Sequence, residues 1–157
     1  MKLIFLYVGK TEKGYLSEGV DQFTTRVKRY TPFEEIEVSE DRKWSKLNKE
    51  DRLKAESSAI LSHIEASDIV LLLDENGKEY TSENLANYLQ KIMNSGPKRL
   101  VFVVGGPFGF SESMKKRFPS KLALSKMTFS HQMVRLFLAE QVYRAFAILR
   151  NEPYHNP

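Results

Sequence analysis

Leu100-Val101-Phe102-Val103-Val104-Gly105-Gly106-Pro107-Phe108-Gly109 is an apolar run that passes without a polar break into a glycine-rich turn. Such a run reads as a strand buried on both faces, the kind found in parallel sheets covered by helices. Glycines at its carboxyl end allow positive backbone dihedrals and let a ligand approach the main chain closely. Open α/β sheets bind ligands at that end. Pro107 and Phe108 break the Gly-x-Gly-x-x-Gly spacing of a dinucleotide fingerprint, and no Gly-Lys-Ser/Thr follows as a P-loop requires. The segment is thus a ligand loop of neither common kind, or a tight structural turn.

The rest of the chain agrees with the same architecture. Lys2–Val8 and Asp68–Asp74 are further apolar strands, the second followed by an expected turn at Glu75-Asn76-Gly77-Lys78. Leu16, Val20, Phe23, Val27 and Tyr30 fall at the spacing of one helix face, and Thr31-Pro32 stops that helix. Glu34–Val38 reads as a short strand. Ser39–Lys49 reads as an exposed polar loop holding the lone Trp44. Asn48 is placed to cap a helix over residues 49–65. A helix over 82–93 ends at Gly96-Pro97, a short one starts near Ser111, Leu122–Ser125 is a short strand, and a last helix runs from about Ser130 to Arg150. Strands alternating with helices predict an α/β fold: one domain over 1–157, with a parallel-rich sheet and helices on both faces.

The 157 residues suffice for one domain with a real core. A composition 41% hydrophobic and 28% charged excludes a disordered chain. No run reaches the roughly 18 apolar residues of a membrane span, and Met1–Lys10 lacks a small-residue cleavage site, so it reads as a first strand. The absence of cysteine excludes a disulfide scaffold, a thiolate metal site and a Cys nucleophile, and fits a cytoplasmic location. The net charge of +4 is modest, but residues 98–150 carry 10 Lys and Arg against 2 Asp and Glu, whereas 51–97 carry 4 against 8. This places the positive field in the C-terminal third and points to an anionic partner such as RNA, DNA or a nucleotide. A solubilising face is the plainer reading of the same charge.

Three further features bear on chemistry. Asp74 at a strand end could hold ribose hydroxyls or an amino group, or be a solvated turn residue. Leu124-Ser125-Lys126-Met127-Thr128-Phe129-Ser130-His131-Gln132 joins a strand to the last helix and offers hydroxyls for a ligand or a helix cap. His131, Arg135 and His155 are candidate substrate contacts. Three histidines without ligand spacing argue against a metal. The last helix is apolar around most of its circumference, which predicts burial against a second copy in a two-fold dimer. Glu140 and Arg144, four apart, can pair on it. With no room for a separate RNA-binding domain, the dimer is expected to form the substrate surface.

Taken in order, these residues resemble the RlmH family (older name YbeA), knotted SPOUT-class methyltransferases of large-subunit ribosomal RNA. The resemblance spans the whole chain. It is carried by Met1-Lys2-Leu3, Leu73-Asp74 with Gly77-Lys78, Val103–Gly109, Leu124–Phe129 with His131-Gln132, Glu140–Ala145 and Pro153-Tyr154-His155. It implies methyl transfer from S-adenosylmethionine to N3 of a pseudouridine in 23S rRNA of assembled ribosomes, a C-terminal trefoil knot and a homodimer, with no membrane and no metal involved. By position it implies cofactor contacts at Leu73, Gly105, Leu124, Ser125, Lys126, Met127, Thr128 and Phe129. On the substrate side it implies His131, Arg135, Tyr154 and His155. Arg135 or a histidine would then stabilise the developing imide anion, and solvent or His131 would take the proton. Two departures stand out. Ser130 replaces a common proline, which should loosen the start of the last helix, and the ending Asn156-Pro157 lacks the usual terminal cation. A non-catalytic RNA- or ribosome-binding factor using the basic third alone is the competing class.

Overall fold

A computed structural model describes residues 1–156; Pro157, the second half of the atypical ending, lies outside the described residues. Five strands run β1 (Lys2–Val8), β2 (Phe33–Val38), β3 (Ile69–Glu79), β4 (Arg99–Val104) and β5 (Lys121–Ala123). They form one parallel sheet in the order β2-β1-β4-β3-β5. The helices are α1 (Tyr15–Val27), α2 (Lys49–Leu61), α3 (Ser82–Asn94), α4 (Glu112–Arg117) and α5 (His131–Leu149), and a 3₁₀ turn occupies Arg42–Lys46 inside the expected loop.

The period-two alternation of the strands divides the core into two layers. Leu3, Phe5 and Tyr7 of β1 join Leu100, Phe102 and Val104 of β4 on the face covered by α1, α3 and α5. Ile4, Leu6 and Val8 join Val101 and Val103 on the face covered by α2 and α4. Every residue of Leu3–Val8 is at most 1% exposed, so β1 is buried on both sides, as its unbroken apolar run predicts. Register is set by pairs such as Phe5 with Phe102 and Leu3 with Phe33.

Two expectations need correction. Residues 75–78 are not a turn that ends β3. The strand continues to Glu79 through an irregularity at which Leu73 and Lys78 both pair with Leu122. Residues 74–77 therefore bulge out of the ladder beside β5, and a Cβ on Gly77 would stand 2.7 Å from the backbone carbons of Lys121 and Leu122, so only glycine fits. The Asn76-Gly77 pair belongs to this bulge within β3 rather than to a free turn. Secondly, α5 does find cover within its own chain. Leu138, Ala139, Val142, Ala145, Phe146 and Ala147 are buried, and α1 and α3 both pack on the helix. The strip left uncovered is narrower than expected; it includes Phe137, exposed at 37%, with Met133 and Leu136 half-buried beside it.

Candidate active site

The irregular middle of β3, the carboxyl end of β4 and the segment after β5 enclose a cleft of about 580 Å³. Three stretches line it: Leu73–Asn76, Val104–Phe110 and parts of Leu122–Val134, with Lys49 and Lys115 at its edge. Of the expected cofactor residues, Leu73, Gly105, Leu124, Ser125, Met127, Thr128 and Phe129 all face it. Lys126 does not line it and is exposed on the same connection. Ser125 shapes that connection, because its Oγ accepts the Met127 backbone N–H at 3.0 Å.

The glycine loop is held from behind by α2. A Cβ on Gly106 would meet the Glu56 carboxylate at 2.8 Å, so this side chain packs directly on the loop's main chain. Glu56 is buried, and Arg52 one turn earlier donates to it at 2.7 Å. Ser57 Oγ lies 2.9 Å from Ser111 Oγ, tying the same helix to the start of α4. Asp74 lines the cleft with Lys115 Nζ 3.3 Å away. Burial would raise the Asp74 carboxyl, but the Asn76 backbone N–H and the Lys115 ammonium outweigh it and hold the group below its usual range.

His131 opens α5 at the cleft wall. Ser130 does not loosen that start. Its Oγ accepts the Met133 N–H at 3.2 Å, a serine cap in place of proline's fixed dihedral. Burial, and then the nearby Arg135 charge, push the His131 imidazole below its ordinary value. It is therefore neutral at neutral pH and able to accept a proton.

Arg135 lies elsewhere than its expected role required. It is fully buried, and its guanidinium donates to Val8 O at 2.7 Å, Gly9 O at 3.1 Å and Thr11 Oγ1 at 3.0 Å, while lying 4.7 Å over the Tyr7 ring. Gln132 completes the anchor by accepting the Glu12 N–H at 3.0 Å and donating to Lys10 O at 2.9 Å. The first turn of α5 is thus fastened to the segment leaving β1. The positive charge of Arg135 points into the fold and not into the cleft.

Tyr154 and His155 are also outside the cleft of their own chain. The tail folds back along α5. Tyr154 donates to Glu140 at 3.0 Å, and His155 Nε2 meets Glu83 at 2.7 Å. Glu83 is held down at about 2 by its own backbone N–H, then by His155 and Thr81. Arg144 joins this group at 3.4 Å from His155 and 4.7 Å over the Tyr154 ring. Sequence reasoning saw Arg144 only as the partner of Glu140; its spacing one turn before the helix end was the available signal. Nine residues of helix separate Glu140 from His131, about 14 Å along the axis.

Comparison with known proteins agrees with this geometry. The family model "Predicted SPOUT methyltransferase" matches residues 1–155. A protein of Christiangramia forsetii named "Ribosomal RNA large subunit methyltransferase H" is 49% identical over 156 residues, 99% of each chain. Proteins of the same name from Parabacteroides distasonis and Cytophaga hutchinsonii are 46% and 48% identical over the same length, covering 99% of this chain and 99% and 100% of theirs. The structure of a probable methylase family protein from Haemophilus influenzae superposes with a TM-score of 0.56 at 11% identity, covering 99% of this chain and 70% of that one, which supports the fold. A parallel sheet in which β4 ends on a glycine-loop cleft, matched end to end by one family model, places the chain in the SPOUT methyltransferase family.

Proposed function

We propose that this enzyme transfers a methyl group from S-adenosylmethionine to N3 of a pseudouridine in 23S rRNA, acting on assembled ribosomes in the cytoplasm. The observation that carries the reading is the meeting of the glycine loop, the 124–129 connection and His131 around one cleft. The volume lies within the roughly 300–1,000 Å³ of small-molecule sites. Apolar Leu73, Leu124 and Val134 alternate there with the main chain of 105–109 and the hydroxyls of Ser125 and Thr128, which suits a nucleoside bearing an aliphatic arm. Curated relatives at 46–49% identity carry a large-subunit rRNA methyltransferase name.

When bound, S-adenosylmethionine would supply an electrophilic methyl group. Leu73, Gly105 and Leu124–Phe129 would hold it, with Lys126 contributing from the outer side of its connection. His131 would take the N3 proton as the base becomes nucleophilic. Arg135 would act from behind by fixing the first turn of α5 and by keeping the imidazole neutral. A C-terminal trefoil knot belongs to the same reading, as membership of the SPOUT family implies.

Tyr154 and His155 would serve the substrate from the tail of a second copy. Their distance down α5 favours this, because antiparallel pairing of two α5 helices brings one tail toward the other's His131. Phe137 is exposed and packs its ring 4.9 Å from that of Phe129. Phe137→Glu is expected to weaken dimerisation by at least about tenfold, since a charge buried at an interface costs several kcal/mol. Sedimentation velocity reads the change, and methyl transfer should fall in parallel. Full activity in a wild-type monomer would remove the dimer from this account.

The function itself is tested by offering labelled S-adenosylmethionine to intact ribosomes and to free rRNA from cells lacking this protein. Label should enter a pseudouridine of the intact particle. Label in neither substrate overturns the assignment.

A further inference from the structure

Four of the ten cations counted in residues 98–150 are paired or buried. Arg99 pairs with Glu65 and Asp68, Lys115 with Asp74 and Arg144 with Glu140, while Arg135 is buried. A different stretch keeps its cations free. Arg42, Lys43, Lys46 and Lys49 lie within eight residues containing no acid, and all four are exposed. Among the described residues none of them makes an ion pair.

This stretch is fixed in place. Trp44 packs on the α2 and α4 side of the core, and Asp41 caps the 3₁₀ turn by accepting the Lys43 N–H at 2.8 Å. Its last cation, Lys49, lines the cleft and stands 5.8 Å from the ring centre of Phe108. Arg52 holds the same ring at 5.5 Å while bonded to the buried Glu56 that packs on Gly106. Phe108 is 46% exposed at the cleft mouth. A large aromatic is thus kept open to solvent between two cations, on a loop braced by α2, with three more cations leading away from it.

Resting on the proposed RNA substrate, we infer that Phe108 and the 42–49 strip form an RNA-contact surface. An unpaired base next to the target nucleotide stacks on the Phe108 ring, and the adjoining backbone phosphates lie along Lys49, Lys46, Lys43 and Arg42. Exposed rings flanked by Lys and Arg take single-stranded nucleic acid in this way, since every base offers a π-face and each neutralised phosphate releases a counterion. The free cations complement an anionic chain. Of the flanking acids, Glu40 and Glu50 are engaged with Arg52 and Lys54, while Asp41 accepts the Lys43 N–H and Asp51 accepts from Asn48 Nδ2.

The test measures binding of a short unstructured RNA oligonucleotide to the full-length protein without cofactor, by fluorescence anisotropy over a salt series. Phe108→Leu should weaken binding about tenfold, and Phe108→Tyr should restore it. The triple variant Arg42→Gln, Lys43→Gln, Lys46→Gln should lower the slope of log K against log salt by about 2, since each neutralised phosphate of a single strand contributes about 0.7. No binding by the wild type, wild-type affinity in Phe108→Leu, or an unchanged slope in the triple variant each overturns the surface. Methyl transfer to ribosomes is read separately. If the wild type labels ribosomes and both variants keep its KM, the surface is wrong while the methyltransferase reading stands. If the wild type labels nothing, that reading falls and the oligonucleotide data alone judge the surface.

Discussion

Replacing His131 by glutamine should lower kcat for methyl transfer to ribosomes by about 10²–10⁴-fold, the usual loss when a positioned general base is removed. Glutamine keeps polarity and approximate size at the cleft wall but cannot take a proton. The pH dependence makes the expectation specific. Burial, and secondarily the charge of Arg135, lower the His131 pKa from its ordinary 6.5. The neutral, competent form therefore prevails at neutral pH, and kcat/KM should fall only as pH drops through a midpoint below 6.5. In His131→Gln that acid limb should vanish. A variant with wild-type kcat, or one that keeps the limb, would transfer the role to solvent.

Arg135→Ala should cost about 3–5 kcal/mol of stability. The substitution opens a large cavity and strips buried carbonyls at Val8 and Gly9 of their donor. For a domain of this size that corresponds to a fall in Tm of roughly 10 °C. Denaturant titration should show a lower midpoint at unchanged slope. Arg135→Lys should fall between, since a single ammonium cannot span both carbonyls as the guanidinium fork does. Methyl transfer should decline through KM and kcat together, because the first turn of α5 loses its anchor. A variant of wild-type stability that has lost methyl transfer would instead return Arg135 to direct contact with substrate.

The contrast between these two residues shows what the sequence could carry. Apolar runs ending in glycine gave strand positions, sheet type and the ligand end of the sheet, because burial on both faces leaves a continuous signature. The 124–131 connection was legible as a site from its residue types and its place between a strand and a helix. Arg135 was not, because its partners lie 124 to 127 positions away and a charged residue on a helix ordinarily faces water. The bulge of residues 74–77 was hidden for a similar reason: Asn-Gly has the same local chemistry in a free turn and in a bulge inside a paired strand. The charge count misled in a third way. It located cations but could not tell paired ones from free ones, so the strip at 42–49 was passed over as an ordinary loop.

Trp44 is the chain's single tryptophan, and it sits half-buried under the 42–46 turn. Its indole emission is consequently a local optical signal, assignable without labelling to one side of the cleft mouth. Detachment of that turn from the layer beneath would redden and quench it while far-ultraviolet dichroism stayed constant, so ordering of this edge and unfolding of the whole chain can be followed as two distinct spectroscopic events.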